Sequence, residues 1–124
     1  MVLFDLNHAA YIKSVIEQAP GFVLALNSEF GHDVFVAALD AVGIDRSRYA
    51  AVAVKNETFG GTIRAAGLLC CSDYQTAFET YCAAHPRPAG VLVPAISFNS
   101  LGRDLKGIHL LELQRSIGLP IVPV

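Results

Sequence analysis

The apolar positions of this chain follow two rhythms that alternate from one end to the other. LNHAAYIKSVIEQAPG sets Ala10, Ile12, Val15, Ile16 and Ala19 at roughly helical spacing, and Pro20-Gly21 stops it. Phe22–Asn27 (FVLALN) is apolar up to its last residue and too brief for a helix, so it reads as a buried strand. HDVFVAALDAVGI returns to the helical period, with Val34, Ala37, Ala38, Leu39 and Val42 in register and Gly43 at the stop. Tyr49–Asn56 (YAAVAVKN) is a second buried strand, and Gly61–Leu69 (GTIRAAGLL) is β-like but ends in small residues. SDYQTAFETYCAAHP opens on Ser72, with Gln75 three residues later at the capping-box spacing that marks a helix start. Its apolar face is Tyr74, Ala77, Phe78, Tyr81 and Cys82, and Pro86 and Pro88 end it. GVLVPAI then reads as a strand, LGRDLKG as a loop, HLLELQRSIG as a helix and LPIVPV as a final strand.

Alternating helices and short, wholly apolar strands predict an α/β fold. Strands of that kind are buried on both faces, which is the signature of a parallel sheet with crossover helices. The expectation is one domain over residues 1–124: a mainly parallel sheet of about four to five strands with helices packed on it. One hairpin near residues 50–66 is expected, turning at Thr58-Phe59-Gly60-Gly61.

Composition sharpens this picture. The chain is 53% hydrophobic and 16% charged, with a mean hydropathy of +0.46. That surplus goes into doubly buried strands or into an apolar surface covered by a partner, either a second copy or a partner domain. It does not go into a membrane, because no apolar run approaches the ~18 residues a spanning helix needs. Net charge is −2 and the densest basic spot is Arg46 with Arg48, too little focused charge for nucleic-acid binding. Three cysteines, two of them adjacent, make no disulfide framework, and the residues after Met1 give no expectation of a signal peptide. The expectation is a reduced, cytoplasmic protein.

Candidate chemistry is sparse. Gly60 and Gly61 fit a tight turn or a close backbone approach to a ligand, but they belong to neither a P-loop nor a dinucleotide fingerprint. Cys70 and Cys71 precede a helix start, where the dipole favours thiolate; the alternative is that they pack as small buried residues. Cys70, Cys71 and Cys82 match neither zinc spacing nor a cluster quartet. His109, near Asp104 and Lys106, is a possible acid–base group. SFNSLGRDLKG is polar, glycine-bearing and follows a strand, and ligands of open α/β sheets sit beyond strand carboxyl ends. The same rule points to Asn27–His32.

The spacing Asn56-x-x-Phe59-Gly60-x-x-Ile63-x-Ala65-Ala66-Gly67-Leu68-Leu69-x-x-x-Asp73 resembles the signature of the domain of unknown function 512 family. GVLVPAISFNSLGRDL, with Pro94, and LLELQRSIGLPIVPV are similar to that family's later segments, so the resemblance is strongest over 56–124. It departs at Thr58, at Cys70-Cys71, and at Asp104-Leu105-Lys106-Gly107, where an acidic pair is lost. The family resembles a C-terminal module of radical-SAM-like iron–sulfur oxidoreductases. The resemblance therefore implies an accessory, substrate-recognition or interaction domain without catalysis of its own. It also implies no cofactor in this chain, any iron–sulfur cluster belonging to an upstream region. Asn56, Phe59, Gly60, Gly61, Gly67, Ser72, Asp73, Asn99 and Asp104 are the residues expected to line a small-molecule site. The alternative is a small enzyme using an activated Cys70 or Cys71 thiol, or the His109/Asp104 pair.

Overall fold

In a computed structural model, residues 6–29, 31–55 and 69–124 are described. Their elements run α1 (Leu6–Gln18), β1 (Val23–Ser28), α2 (His32–Ala41), β2 (Tyr49–Val54), α3 (Cys71–Ala84), β3 (Gly90–Val93), α4 (Leu110–Ile117) and β4 (Ile121–Pro123). The four strands form one parallel sheet in the order β2-β1-β3-β4, so the fold is α/β as the alternating pattern predicts. β1 and β3 are buried along their whole length, which is why their sequences carry apolar residues on both sides of the pleat.

The two faces separate cleanly by parity. Val23 and Ala25 of β1 and Leu92 of β3 pack with Ile12 and Ile16 of α1 and Phe35 and Leu39 of α2. Leu24, Leu26, Val91 and Val93 face the other way, onto Tyr74 and Phe78 of α3 and Leu113 and Ile117 of α4. The result is three layers, with α1 and α2 beneath the sheet and α3 and α4 above it. Two cations close the lower layer by donating to carbonyls at helix ends. Arg48 reaches the Glu17 oxygen in the last turn of α1 and the Ala19 oxygen just after it, and Lys13 reaches Val42 O after α2.

Several boundaries differ from the sequence expectation, each for a physical reason. Helix α3 starts at Cys71 with Cys70 as its N-cap, not at a Ser72 cap with Gln75. The capping carboxylate is Asp73, which accepts the Cys70 N–H at 2.9 Å. On α2 the buried residues are Phe35 and Leu39, while Val34 is exposed; on α1 Ala9 is buried and Ala10 exposed. The strand in GVLVPAI ends at Val93, because Pro94 leads into a 3-10 turn at Ala95–Ser97. Of the hairpin expected near residues 50–66, only the first strand, β2, is described; the expected turn and return strand fall outside the described residues, as do Asn56, Phe59, Gly60, Gly61 and Gly67.

Candidate functional site at the carboxyl end of the sheet

β1 and β3 are neighbours, yet the chain leaves β1 toward β2 and β3 toward β4 on opposite sides. Their carboxyl ends therefore form the switch point where open α/β sheets receive ligands. The buried polar residues of the described chain gather at this end: Asn27, Ser28, Asp73, Ser97 and Asp104.

Four of them, Asn27, Ser28, Asp73 and Asp104, hold backbone N–H groups, and Ser97 pairs with a tyrosine hydroxyl. Asp104 comes from the loop after β3 and reaches the start of α3. Its Oδ2 accepts the Cys71 N–H at 2.8 Å, and its Oδ1 accepts the Lys106 and Ile108 N–H groups, both at 2.9 Å. One carboxylate thus fixes its own loop and ties it to α3. Asn99 Oδ1 accepts the Leu101 N–H at 2.9 Å and the Arg103 N–H at 3.1 Å, tightening the same loop. An antiparallel bridge between Arg103 and His109 closes it. At the end of β1, Asn27 Oδ1 accepts the Ser28 N–H and Ser28 Oγ accepts the Gly31 N–H. The His32 Nδ1 beside them is buried and makes no hydrogen bond among the described residues. The Tyr74 hydroxyl, wholly buried, hydrogen bonds to Ser97 at the end of β3.

The two cysteines sit within this framework. Cys70 and Cys71 are both buried, and the Cys71 thiol donates to the Ile108 carbonyl. Burial, followed by the Asp104 and Asp73 carboxylates, pushes the Cys70 thiol up. The same burial, with Asp104 alongside, pushes the Cys71 thiol up to about 12. An activated thiol needs the opposite shift and access to substrate. The helix-dipole expectation is thereby corrected: desolvation and two carboxylates outweigh the dipole. The His109/Asp104 pair is also redistributed. His109 caps α4 by accepting the Leu111 N–H at 3.0 Å on Nδ1, and its ring lies against Gly102. Among the described residues no hydrogen bond joins it to Asp104.

Of the site residues expected from sequence, the structure therefore joins Asp73 and Asp104 around the start of α3, with Asn99 in the loop that carries Asp104. Ser72 is exposed beside them. A groove among the described residues lies elsewhere, between β2 and α3. It has a volume of about 450 Å³, with Val52, Val54, Lys55, Asp73, Tyr81 and His85 in its walls, and the Tyr81 and His85 rings stack at 4.3 Å. Asp73 is the one expected site residue it shares among those described. No group of three or more metal-ligating side chains occurs among the described residues. The Tyr74–Ser97 pair was not foreseen, because nothing in the local pattern links a helix residue to a turn 23 positions away.

Fold and site together define a doubly wound α/β domain whose polar residues at the strand ends bind its own loops. No family model, curated protein or solved structure matches the chain.

Proposed function

We propose that this chain is a non-catalytic accessory or recognition domain that works through protein contact. Its working surface is the connection between β3 and α4. One observation carries the reading. Of the seven large hydrophobic side chains exposed among the described residues, four lie in this connection, Ile96, Leu101, Leu105 and Ile108, and a fifth, Leu111, is in the first turn of α4. Single exposed aliphatics are ordinary, but a concentration on one loop marks a contact surface. The loop beneath them is rigidly built by Asn99 and Asp104, so the apolar side chains are presented rather than left loose. The reading agrees with the resemblance to the accessory module of iron–sulfur oxidoreductases, and free thiols suit a reducing cytoplasm.

The test is thiol kinetics with native mass spectrometry. A recognition domain leaves Cys70 and Cys71 unlabelled by iodoacetamide while folded, and the purified chain carries no small molecule. Labelling of either cysteine at the rate of an exposed thiolate, without unfolding, would overturn the reading in favour of a thiol enzyme. Retention of a small molecule would move the function to a ligand site.

A further inference from the structure

We infer that the partner of this surface is a second copy of the chain, docked about a twofold axis. The inference rests on reading the loop between β3 and α4 as the working surface, and it adds the identity of what covers it. Ile96, Leu101, Leu105 and Leu111 are 63, 71, 57 and 52% exposed. Together with Ile108 they expose on the order of 500 Å² along this stretch, which is the size of a functional patch where such side chains adjoin. Two such patches closing on each other remove about 1,000 Å², the lower bound for a specific interface.

The charges at its edge are self-complementary. Lys106 and Glu112 are exposed within the same stretch, and neither forms an ion pair among the described residues. Of the other two charges there, one is an exposed cation bonded to a carbonyl and one is a buried carboxylate. Arg103 donates to the Gly107 carbonyl at 2.7 Å, and Asp104 is buried on three backbone N–H groups. In a twofold contact, residue i of one copy meets residue j of the other, and j meets i. The Lys106 of each copy then faces the Glu112 of the other, giving two ion pairs at the rim of an aliphatic centre.

Sedimentation equilibrium across protein concentration tests this on the whole chain. The wild type passes from monomer to dimer over about 1–100 μM, the range expected of a weak interface at the small end of the specific ones. Leu101→Asp with Leu105→Asp weakens association by about 30-fold or more, and both positions are exposed, so the urea midpoint stays where it was. Lys106→Glu and Glu112→Lys each weaken it by about fivefold, and the double charge reversal restores it to within about twofold of wild type. A wild type that stays monomeric to about 1 mM overturns the inference. So does a dimer that survives the two aspartates, or a double reversal no better than either single one. A monomer with inert thiols leaves the recognition-domain reading standing with another partner. A dimer with reactive thiols removes that reading and keeps the contact.

Discussion

Removing the carboxylate of Asp104 tests the central claim about the site, that its acidic residue is structural. Asp104→Ala leaves three backbone N–H groups without their acceptor: Cys71, Lys106 and Ile108. The Cys71 bond is buried, so losing it costs the desolvation of a donor, about 1–3 kcal/mol. The other two are partly buried and water replaces the carboxylate there, at about 0.5–1 kcal/mol each. The expected total is about 2–5 kcal/mol, a large share of the ~5–15 kcal/mol that holds a domain together. With a slope of about 2 kcal/mol/M in urea, the midpoint followed by circular dichroism falls by about 1–2.5 M. Asp104→Asn keeps one carbonyl oxygen and falls by about half as much. Amide exchange gives the local readout, with Cys71, Lys106 and Ile108 losing protection together although they lie far apart in sequence. A midpoint within about 0.3 M of wild type, with the Cys71 amide still protected, would refute the structural role.

The remaining expectations concern titration and packing. Cys71 is held at about 12 in the folded chain, against 9.0 for an ordinary thiol, so the folded state keeps its proton longer than the unfolded state. That contribution is complete below about pH 9 and is lost as pH rises toward 12, so unfolding free energy falls with pH across this window. Cys71→Ala should make the fall shallower in urea midpoints taken between about pH 8 and 10.5, and an unchanged slope would refute the assignment. Gly102 has φ +75°, and a Cβ there would come within 2.8 Å of His109 Nε2. Gly102→Ala should lower the melting temperature by about 5–10 °C through strain plus displacement of the ring. Gly107→Ala is the control, with φ +82° and open space around it. It should cost strain alone, and equal losses at the two positions would rule out the steric part. Tyr74→Phe keeps the ring and deletes the bond to Ser97, for about 1 kcal/mol of destabilisation. An unaltered urea midpoint would show that this bond adds nothing net.

The sheet was readable because β1 and β3 are buried on both faces, and that demand leaves a continuous apolar run in the sequence. Helix faces were readable only to within one position: Val34 and Phe35 are equally apolar in sequence, and tertiary packing buries only the second. The start of α3 shows a deeper limit. Ser72 and Gln75 offer a capping box, but Cys70 and Asp73 offer a frame two residues earlier, and Asp104 decides by holding the Cys71 N–H from 33 positions away. No local pattern contains that bond. The same distance explains the site. Asn99 and Asp104 stood out as polar residues beyond a strand, yet whether such a side chain faces a ligand or its own loop depends on where the chain folds back. Leu101 and Leu105 fall in a stretch that reads as a loop, and the fold leaves both side chains outside.

The strand order also bears on how the chain reaches this structure. β1 finds β2 across a single helix and one short turn, with Val23 paired to Tyr49, and β3 finds β4 across α4, with Val91 paired to Ile121. The junction between these halves pairs Val23 with Gly90, a contact far longer in sequence than either. Closing that distance demands chain entropy before any strand pairing repays it. Each half is therefore a βαβ unit that can assemble locally, and the β1–β3 seam is the late event. Until it closes, the inner edges of both β1 and β3 lie open. The interval between local assembly and seam closure is when this chain is most exposed to pairing with the wrong strand.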